Sequence, residues 1–490
     1  MKERSKVRTT PFLASLAGAA LALALAGCAH VPYDAERAAP PDFARAQHAA
    51  SIRLARDGWP EARWWTSYND EQLDALVTRA LRDSPTLPVA ATRLASARAA
   101  LAVERTGAGL SAGIEIGANR QRYSGNGLFP EPIGGNYYND ASVQLKAGYD
   151  FDWWGKHRAL VAAALGETNA RQAEYGQAER TIAAAVAQSY FRLQLLWARQ
   201  DNVLAMAALQ RDVIADKAAR IAHGLANIDE QRNAERDLGT LQEQAASFAT
   251  QAARETEALR ALLGGGELAP LARRPVNAGV AGLPRQLGLE LLARRPDLQA
   301  ARWRVEAMLG RVAASQAAYY PDINLAGSFG LDAVSLGRLL RPDSGTMMIG
   351  SILQLPLFDS SRLDAQLGVA RAQRNEAIAD YNQAVLHAVA EVSAEGATLQ
   401  GLERQWVAHA ATQQASAALV ASASRRLNQG LADRAAVLQA KQAVLRQEEI
   451  RLQLRDAGLQ SELALIKALG GGYRSPDVRS AATTTSNQQH

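Results

Sequence analysis

The most constraining feature of this 490-residue chain is a motif that occurs twice, 206 residues apart. The pattern Arg-x-x-x-Gly-Leu-Ala runs from Arg220 to Ala226 and again from Arg426 to Ala432. Each copy interrupts a long Ala-rich helical stretch, which lies between a Gly-rich strand region and a terminal glycine cluster. Length alone would suggest about three domains. Because both copies of a repeat can complete one body, we instead expect one architecture, built from a duplicated unit of strands and a helical hairpin.

The distribution of charge argues against nucleic acid as a partner. The formal net charge is +5 at pH 7, but the first eight residues alone carry +3 of it. The rest of the chain interleaves both signs, whereas a surface that follows phosphates needs clustered cations. We therefore predict no binding to nucleic acid.

Sequence signals of catalysis or of a bound cofactor are missing. The seven histidines are scattered, and neither a His-x-x-x-His nor a Cys-x-x-Cys pair occurs. The glycine runs 264–266 and 470–472 lack the Lys-Ser/Thr of a phosphate loop, and each ends a helical stretch. We predict that the protein is not an enzyme and that it uses no metal or dissociable cofactor. Without a nucleotide site it cannot power transport itself.

The first 28 residues have the pattern of an export signal, with a cationic start, an apolar run over 11–26 and then small residues. The run ends in Leu-Ala-Gly-Cys, which resembles the bacterial lipobox, where the cysteine becomes the acylated first residue of the mature protein. Cys28 is the only cysteine, so it cannot form an internal disulfide. We predict N-acyl (palmitate) and S-diacylglycerol lipid on Cys28; the alternative is a small buried cysteine inside an ordinary signal. In bacterial lipoproteins, an Asp directly after the cysteine resembles an inner-membrane retention signal. This chain has Ala29 at that position, and the absence of the Asp favours the outer membrane.

No later stretch approaches 18 uninterrupted apolar residues, so a membrane crossing by the mature chain would have to be made of strands. Residues 141–151 alternate apolar and polar side chains, and 112–123 is the expected antiparallel partner. The second copy offers 322–332 and 346–357. Four strands cannot close a barrel, and lipid cannot satisfy the backbone groups of an open edge, so closure would require several chains. The alternative is a half-buried soluble sheet with the same alternation.

Two long helices are predicted over 155–221 and 362–427, which contain no proline and little glycine. Apolar residues in the second stretch follow a 3-4 spacing that only Glu395 interrupts, and in the last helix they recur every seven residues. These seam residues are Ile378, Tyr381, Val385, Ala388, Val392, Leu399, Leu402 and Trp406, then Leu438, Leu445, Leu452, Leu459 and Ile466. The Gly-Leu-Ala turns are predicted hairpin tips, with returning helices that start near 227–230 and at Asp433.

Several short motifs follow one another along the mature chain. They are Trp64-Trp65-x-x-Tyr68-x-Asp70-x-x-Leu73-x-x-Leu76, Ser84-Pro85-x-Leu87, Arg294-Arg295-Pro296-Asp297-Leu298, Ala317-x-Tyr319-Tyr320-Pro321, and Gly430-Leu431-x-Asp433 followed by Val437-Leu438-x-Ala440. In this order, with two repeats behind a lipobox, the chain resembles the outer membrane factors of tripartite export systems. These are the TolC-like efflux proteins, and the likeness is to their lipid-anchored NodT-type branch.

The resemblance implies a mainly α fold with a membrane β-barrel. Two structural repeats, each a strand pair plus a long coiled-coil helical hairpin, would assemble as a homotrimer. Its twelve strands would close one barrel that continues into an α-helical tunnel. The implied organisation is a signal peptide (1–27), a lipid-anchored N-terminal segment (28–68), a first repeat (69–268), a linker (269–285), a second repeat (286–472) and a disordered tail (473–490).

The resemblance also implies a function and partners. The protein would be a passive outer-membrane efflux duct for small toxic solutes or drugs, extending into the periplasm and contacting outer-membrane lipid. A periplasmic adaptor would connect it to an inner-membrane pump. The hairpin tips would meet the adaptor, although the same residues also serve as helix caps. The contact candidates are His223, Gly224, Leu225, Ala226, Gly430, Leu431 and Ala432.

Relatives close the tunnel with acidic residues on the second-repeat hairpin. Asp433 matches that position, and Arg426 and Arg434 are near enough in sequence to pair with it. Three such carboxylates in a ring would repel one another unless paired, so they would form a constriction or a breakable latch. The alternative is that Asp433 only stabilises the N-terminus of its helix. The chain departs from the family in having Ala-Lys at 440–441 instead of Ala-Gln, and Leu427 where an aromatic residue is common.

A second class of function also fits the sequence. A lipid-anchored periplasmic coiled-coil scaffold, with its strands in a soluble sheet, would share the helices and the lipobox but conduct nothing. The ability to form pores separates this scaffold from an export channel.

Overall fold

The computed structural model describes residues 31–34, 52–54, 57–276, 284, 288–356 and 359–474. The predicted signal peptide, the predicted lipidation site Cys28 and the predicted tail from residue 475 onward lie outside the described residues. So do residues 277–283 and 285 of the predicted linker.

Helices and strands follow one another in two matching series. The first series is α1 (Glu71–Asp83), α2 (Thr86–Thr106), β1 (Gly109–Arg122), β2 (Tyr137–Asp150), α3 (Lys156–Ala222) and α4 (Ile228–Leu262). The second series is α5 (Gly288–Arg294), α6 (Pro296–Ala317), β3 (Asp322–Ala333), β4 (Gly345–Gln354), α7 (Ser360–Asn428) and α8 (Arg434–Ala468). The predicted duplication is confirmed, and each copy also begins with two helices of 7 to 22 residues that the sequence prediction lacked.

The four strands form one antiparallel sheet in the order β1-β2-β3-β4. Their bounds lie within a few residues of the predicted ones. The repeats meet in the middle of the sheet, where β2 of the first copy pairs with β3 of the second and Leu145 lies opposite Phe329. Strands β1 and β4 are the two edges. One sheet thus takes its two halves from the two copies.

The helices α3 and α7 are 67 and 69 residues long, and the returning helices α4 and α8 are 35 residues each. An uninterrupted helix is expected here because neither stretch contains proline. Within the described ranges, every helix falls short of the combined length and hydrophobicity that a bilayer crossing demands.

Both hairpins turn in the same way. Gly224 and Gly430 take the left-handed conformation, with φ of 71° and 76°. In each turn the following leucine amide donates to the carbonyl of the arginine five residues earlier, at 2.8 Å. Asn227 and Asp433 then cap the returning helices, since the side chain of each accepts a hydrogen bond from a backbone amide of the first turn. The duplicated motif therefore specifies a complete helix end and helix start.

The chain folds as two compact units, and each unit draws on both repeats. The first contains the described parts of 1–39, 95–169 and 303–380, which include the sheet. The second contains those of 40–94, 170–302 and 381–490, which include most of the four hairpin helices.

The predicted seams are core in the second unit. In α8 the heptad leucines 438, 452 and 459 and Ile466 are buried, and in α7 Val385, Ala388 and Val392 are buried. Farther along α7 the seam weakens, because Trp406 remains 37% exposed. The predicted coiled-coil packing holds for most of these positions.

Glu395, which interrupts the α7 seam in the sequence, has a hydrogen-bonding partner on α8. The Ser461 hydroxyl donates to its carboxylate at 2.6 Å. The first repeat contains the same pair with the residues exchanged, because Ser189 of α3 donates to Glu255 of α4 at 2.7 Å. Positions 189 and 395, like 255 and 461, are separated by the repeat distance. Each hairpin thus keeps one serine–glutamate contact, although the helix that supplies the acid differs.

The glycine clusters at the ends of both copies are required by close packing. A Cβ at Gly264 would lie 2.6 Å from the carbonyl oxygen of Asp83, and one at Gly470 would lie 2.0 Å from that of Arg294. Both glycines also have a positive φ, near 88° and 89°. These glycines therefore fix where each hairpin meets the short helices of its own repeat.

Candidate functional site

One face of the four-stranded sheet is apolar and exposed in the single chain. Ile114, Leu145, Phe329 and Met347 lie side by side across the four strands, and they are 71%, 50%, 65% and 79% exposed. The alternate positions are largely polar or glycine, and among them the Lys146 ammonium contacts the Glu115 carboxylate at 2.7 Å. An exposed apolar band across a whole sheet marks a surface that contacts a membrane or the apolar surface of another protein.

Aromatic side chains border this face at both ends of the strands. At one end Tyr149, Phe151 and Trp153 follow one another with ring centroids 4.7 and 5.4 Å apart. At the other end of β2 Tyr137 lies on the same face and is 63% exposed, with the guanidinium of Arg120 5.4 Å from its ring centroid. Aromatic residues favour the two interfaces of a membrane.

The separation of these aromatic groups matches a bilayer. Between Tyr137 and Tyr149 strand β2 extends by about 40 Å, at about 3.3 Å per residue. A strand tilted by about 40° covers about 30 Å of that along the membrane normal, which matches the hydrocarbon core of a bilayer, about 30 Å thick.

The second candidate region is the pair of hairpin tips. All seven predicted contact candidates are at the two turns, and Leu225 and Leu431 are 69% and 65% exposed. The first tip also contains an ion pair between Lys217 and Glu230, whose contact lowers the pKa of the Glu230 carboxyl. Each tip therefore presents an exposed leucine beside glycine backbone, and the first tip adds Ile228, which is 47% exposed.

Asp433 has a different partner from those that the sequence suggested. One carboxylate oxygen accepts the Ala436 backbone amide at 3.0 Å, and the other accepts the Arg220 guanidinium at 2.8 Å. These two contacts hold the pKa of Asp433 below its usual value. Arg434 instead lies 3.6 Å from Asp212 of α3. Arg426 is exposed, and its side chain has no hydrogen-bonding or ionic partner among the described residues.

The model of one protein family, described as outer membrane efflux protein, matches the chain twice, over residues 76–265 and 287–471. The chain belongs to this family. The multidrug resistance outer membrane protein MdtP of Shigella flexneri is 37% identical over 472 residues, which cover 93% of this chain and 95% of that protein. MdtQ of Escherichia coli O157:H7 is 33% identical over 478 residues, which cover 94% and 99%.

A solved structure of the same kind of protein supports the fold. The outer membrane protein VceC of Vibrio cholerae is 30% identical and superimposes with a TM-score of 0.75, covering 85% of this chain and all of VceC. The predicted resemblance is therefore confirmed, as is the mainly α fold with a β-domain. Family membership makes this chain an outer-membrane efflux channel rather than an enzyme.

The structure brings together two features that the sequence prediction left separate. Arg220 and Asp433 belong to different repeats, and the only sequence signal of their contact is that Arg220 begins the duplicated motif. The exchanged serine–glutamate pairs could have been found by comparing positions one repeat apart.

Among the described residues, no group of His, Cys, Asp or Glu side chains has the arrangement of a metal site.

Proposed function

We propose that this efflux channel is a homotrimer that acts as the passive outer-membrane duct of a tripartite system. The observation that carries the proposal is the four-stranded sheet, with an exposed apolar face, aromatic residues at both ends and two open edges. Open edges are costly in lipid because their backbone groups find no partner there. Three copies would supply twelve strands and satisfy every edge, and closed barrels of this size are well known.

The cargo and the energy source would lie outside this chain. The relatives are named for multidrug resistance, and we propose that this protein also passes drugs or other small toxic solutes. A periplasmic adaptor would join it to an inner-membrane pump, and the pump would select the solute. Purified protein should run as a trimer on gels without heating and as a monomer after heating. A monomer under both conditions would overturn the trimer.

We also propose that Cys28 is acylated and anchors the chain in the outer membrane. Support comes from the segment Val31–Asp34, whose first residue lies at most about 11 Å along the chain from Cys28. The Asp34 carboxylate contacts the buried guanidinium of Arg374, and Arg371 donates to the carbonyl of Tyr33 at 3.2 Å. The segment beside the lipid would thus be fixed to the unit that contains the sheet.

The acylation proposal has a direct test. Cells grown with labelled palmitate should incorporate the label into the wild-type protein and not into the Cys28→Ser variant. Equal incorporation of label into both proteins would show that the lipid is attached to a residue other than Cys28.

The tips are proposed as the adaptor surface. Leu225 and Leu431 are the most exposed large apolar side chains there, and aliphatic side chains at exposed turns are suited to insertion between the helices of a partner. Leu225→Asp together with Leu431→Asp should abolish co-purification of the adaptor and leave trimer formation intact. Leu419→Asp, at a residue 62% exposed on α7 away from the turn, is the matched control. Undiminished co-purification with the tip variant would exclude this surface.

Asp433 is proposed to restrict the resting channel through its contact with Arg220. Exposed ion pairs contribute about 0.2–1 kcal/mol each. Asp433→Ala should therefore raise resting conductance by about fivefold at most. Asp237→Ala removes another exposed acid, paired with the neighbouring Arg236 at 3.0 Å on α4, and should leave conductance unchanged. An unaltered resting conductance in Asp433→Ala would remove this residue from the gate.

A further inference from the structure

The apolar face of the sheet ends in two arginines where β1 approaches its loop. Since side chains alternate along a strand, Ile114, Ile116, Arg120 and Arg122 lie on one face of β1. All four side chains are exposed in the single chain. Along this face, β1 therefore changes from apolar to cationic in the direction of the loop.

The protein itself does not neutralise these two arginines. The Arg120 guanidinium lies 5.4 Å from the ring centroid of Tyr137, and neither Arg120 nor Arg122 has a carboxylate partner among the described residues. Asp140 and Asp332, at the same end of the sheet, lie on its opposite, polar face. Unpaired guanidinium groups at the end of an apolar surface are suited to an anionic ligand that also has an apolar part.

The β3–β4 loop combines the same two kinds of side chain. It lies at the same end of the sheet, because Ala141 pairs with Ala333. Leu336 and Leu340 of this loop are 75% and 87% exposed. The neighbouring exposed arginines have no ionic partner in the part of the chain that the structure describes; they are Arg338 and Arg341. Exposed leucines interleaved with unpaired arginines are typical of segments that lie at the surface of an anionic membrane.

We call Arg120, Arg122, Arg338 and Arg341 the loop-end arginines. Resting on the proposed function, which puts the sheet in the outer membrane, we propose that the loop-end arginines bind the phosphates of lipopolysaccharide. The helices connect at the opposite end of the strands, so a duct whose helices cross the periplasm has its loop end in the outer leaflet. The acyl chains of the lipid would then lie over the isoleucines of β1.

The chemistry of the arginines favours this lipid over a phospholipid. A guanidinium donates two parallel hydrogen bonds to a phosphate. Arg120 and Arg122 are about 7 Å apart along β1, and the β3–β4 loop adds a second pair of cations. Two separate cationic groups fit a lipid that has more than one phosphate and several acyl chains, as lipopolysaccharide has.

Native mass spectrometry of the delipidated, full-length trimer tests the proposal. Lipid A, the phosphorylated and acylated part of lipopolysaccharide, should bind more tightly than phosphatidylglycerol. Arg120→Gln with Arg122→Gln should weaken lipid A binding by about tenfold, because two cations are lost at an anionic lipid surface. Lys146→Gln is the matched control, since it removes a cation from the polar face of the same sheet, and it should bind lipid A like the wild type.

A second variant tests the loop. Arg338→Gln with Arg341→Gln lies outside the strands and should weaken lipid A binding by a similar factor. It replaces the strand variant as the test if that variant does not form trimers.

The outcomes distinguish this proposal from the proposed function. Lipid A binding by a trimeric strand or loop variant as tight as that of Lys146→Gln would overturn the assignment of the arginines that it lacks. Equal affinity of the wild type for lipid A and phosphatidylglycerol would overturn the choice of lipopolysaccharide, because the arginines would then attract any anionic lipid. Wild-type protein that never forms a trimer would instead refute the proposed function.

Discussion

Exchange of Glu395 and Ser461 should be tolerated, although each single replacement should not be. Ser461 is 6% exposed, and its hydroxyl donates to the Glu395 carboxylate at 2.6 Å. A hydrogen bond to a charged group contributes about 1.5–3 kcal/mol, and a buried partner left unsatisfied costs about 1–3 kcal/mol. Glu395→Ser should therefore lower the free energy of unfolding by about 2 kcal/mol. Ser461→Glu should lower it by at least as much, because two carboxylates then face each other.

The double variant reproduces the arrangement of the first repeat, in which Ser189 on the long helix donates to Glu255 on the returning helix at 2.7 Å. We expect the free energy of unfolding of the double variant to lie within about 1 kcal/mol of the wild-type value, which corresponds to a coupling energy of about 3 kcal/mol or more. Urea denaturation of the detergent-solubilised protein, followed by helical circular dichroism, measures all four free energies. Glu403→Ser, at an exposed position on the same helix, should change stability by less than about 0.5 kcal/mol. A double variant as unstable as the sum of its single variants would refute the equivalence of the two hairpins.

Three further predictions concern packing, a buried ion pair and pH. Gly470→Ala should lower the free energy of unfolding by about 3 kcal/mol or more, because the added Cβ would lie 2.0 Å from a carbonyl oxygen. Gly458→Ala is the control: this glycine of α8 has open space around its Cβ position, so the better helix former should raise the free energy of unfolding by up to about 1 kcal/mol. Arg295→Ala should lower the free energy of unfolding by about 3–5 kcal/mol in the same urea assay, because this buried guanidinium contacts two carboxylates at 2.6 and 2.8 Å. Arg434→Ala, at an exposed arginine, should lower it by less than about 0.5 kcal/mol. The pKa of Asp433 is lowered by folding, so its contact is fully present above the usual carboxyl pKa and is lost as the pH falls through the lowered value. Resting conductance should thus rise only below about pH 4, and Asp433→Asn should abolish this dependence; a rise near pH 6 would point to a different group.

Most of the fold could be predicted because its signals are local. Alternation over 141–151 identified β2, and the lack of proline identified the long helices, since both patterns reflect neighbours along the chain. Gly224 and Gly430 marked the tips because a left-handed turn favours glycine. The short helices α1, α2, α5 and α6 were missed because no prediction was made for the segment before each strand pair.

The contacts of the candidate gate could not be predicted by the same means. Asp433 was expected to pair with a nearby arginine, whereas its partner comes from the other repeat, which tertiary packing brings close. Glu395 looked like a defect in an apolar seam because its hydrogen-bonding partner lies 66 residues away on another helix. Both cases required knowledge of which helices touch, and sequence spacing alone contains no such information.

The central claim is that several copies of this chain conduct solute through one closed channel. Single-channel recording of the purified wild-type protein in planar lipid bilayers tests it most directly. We predict discrete current steps from the fraction that migrates as a trimer without heating, and none from the monomer fraction of the same preparation. A folded trimeric fraction that inserts into the bilayer and never passes current would contradict the channel and favour a non-conducting scaffold.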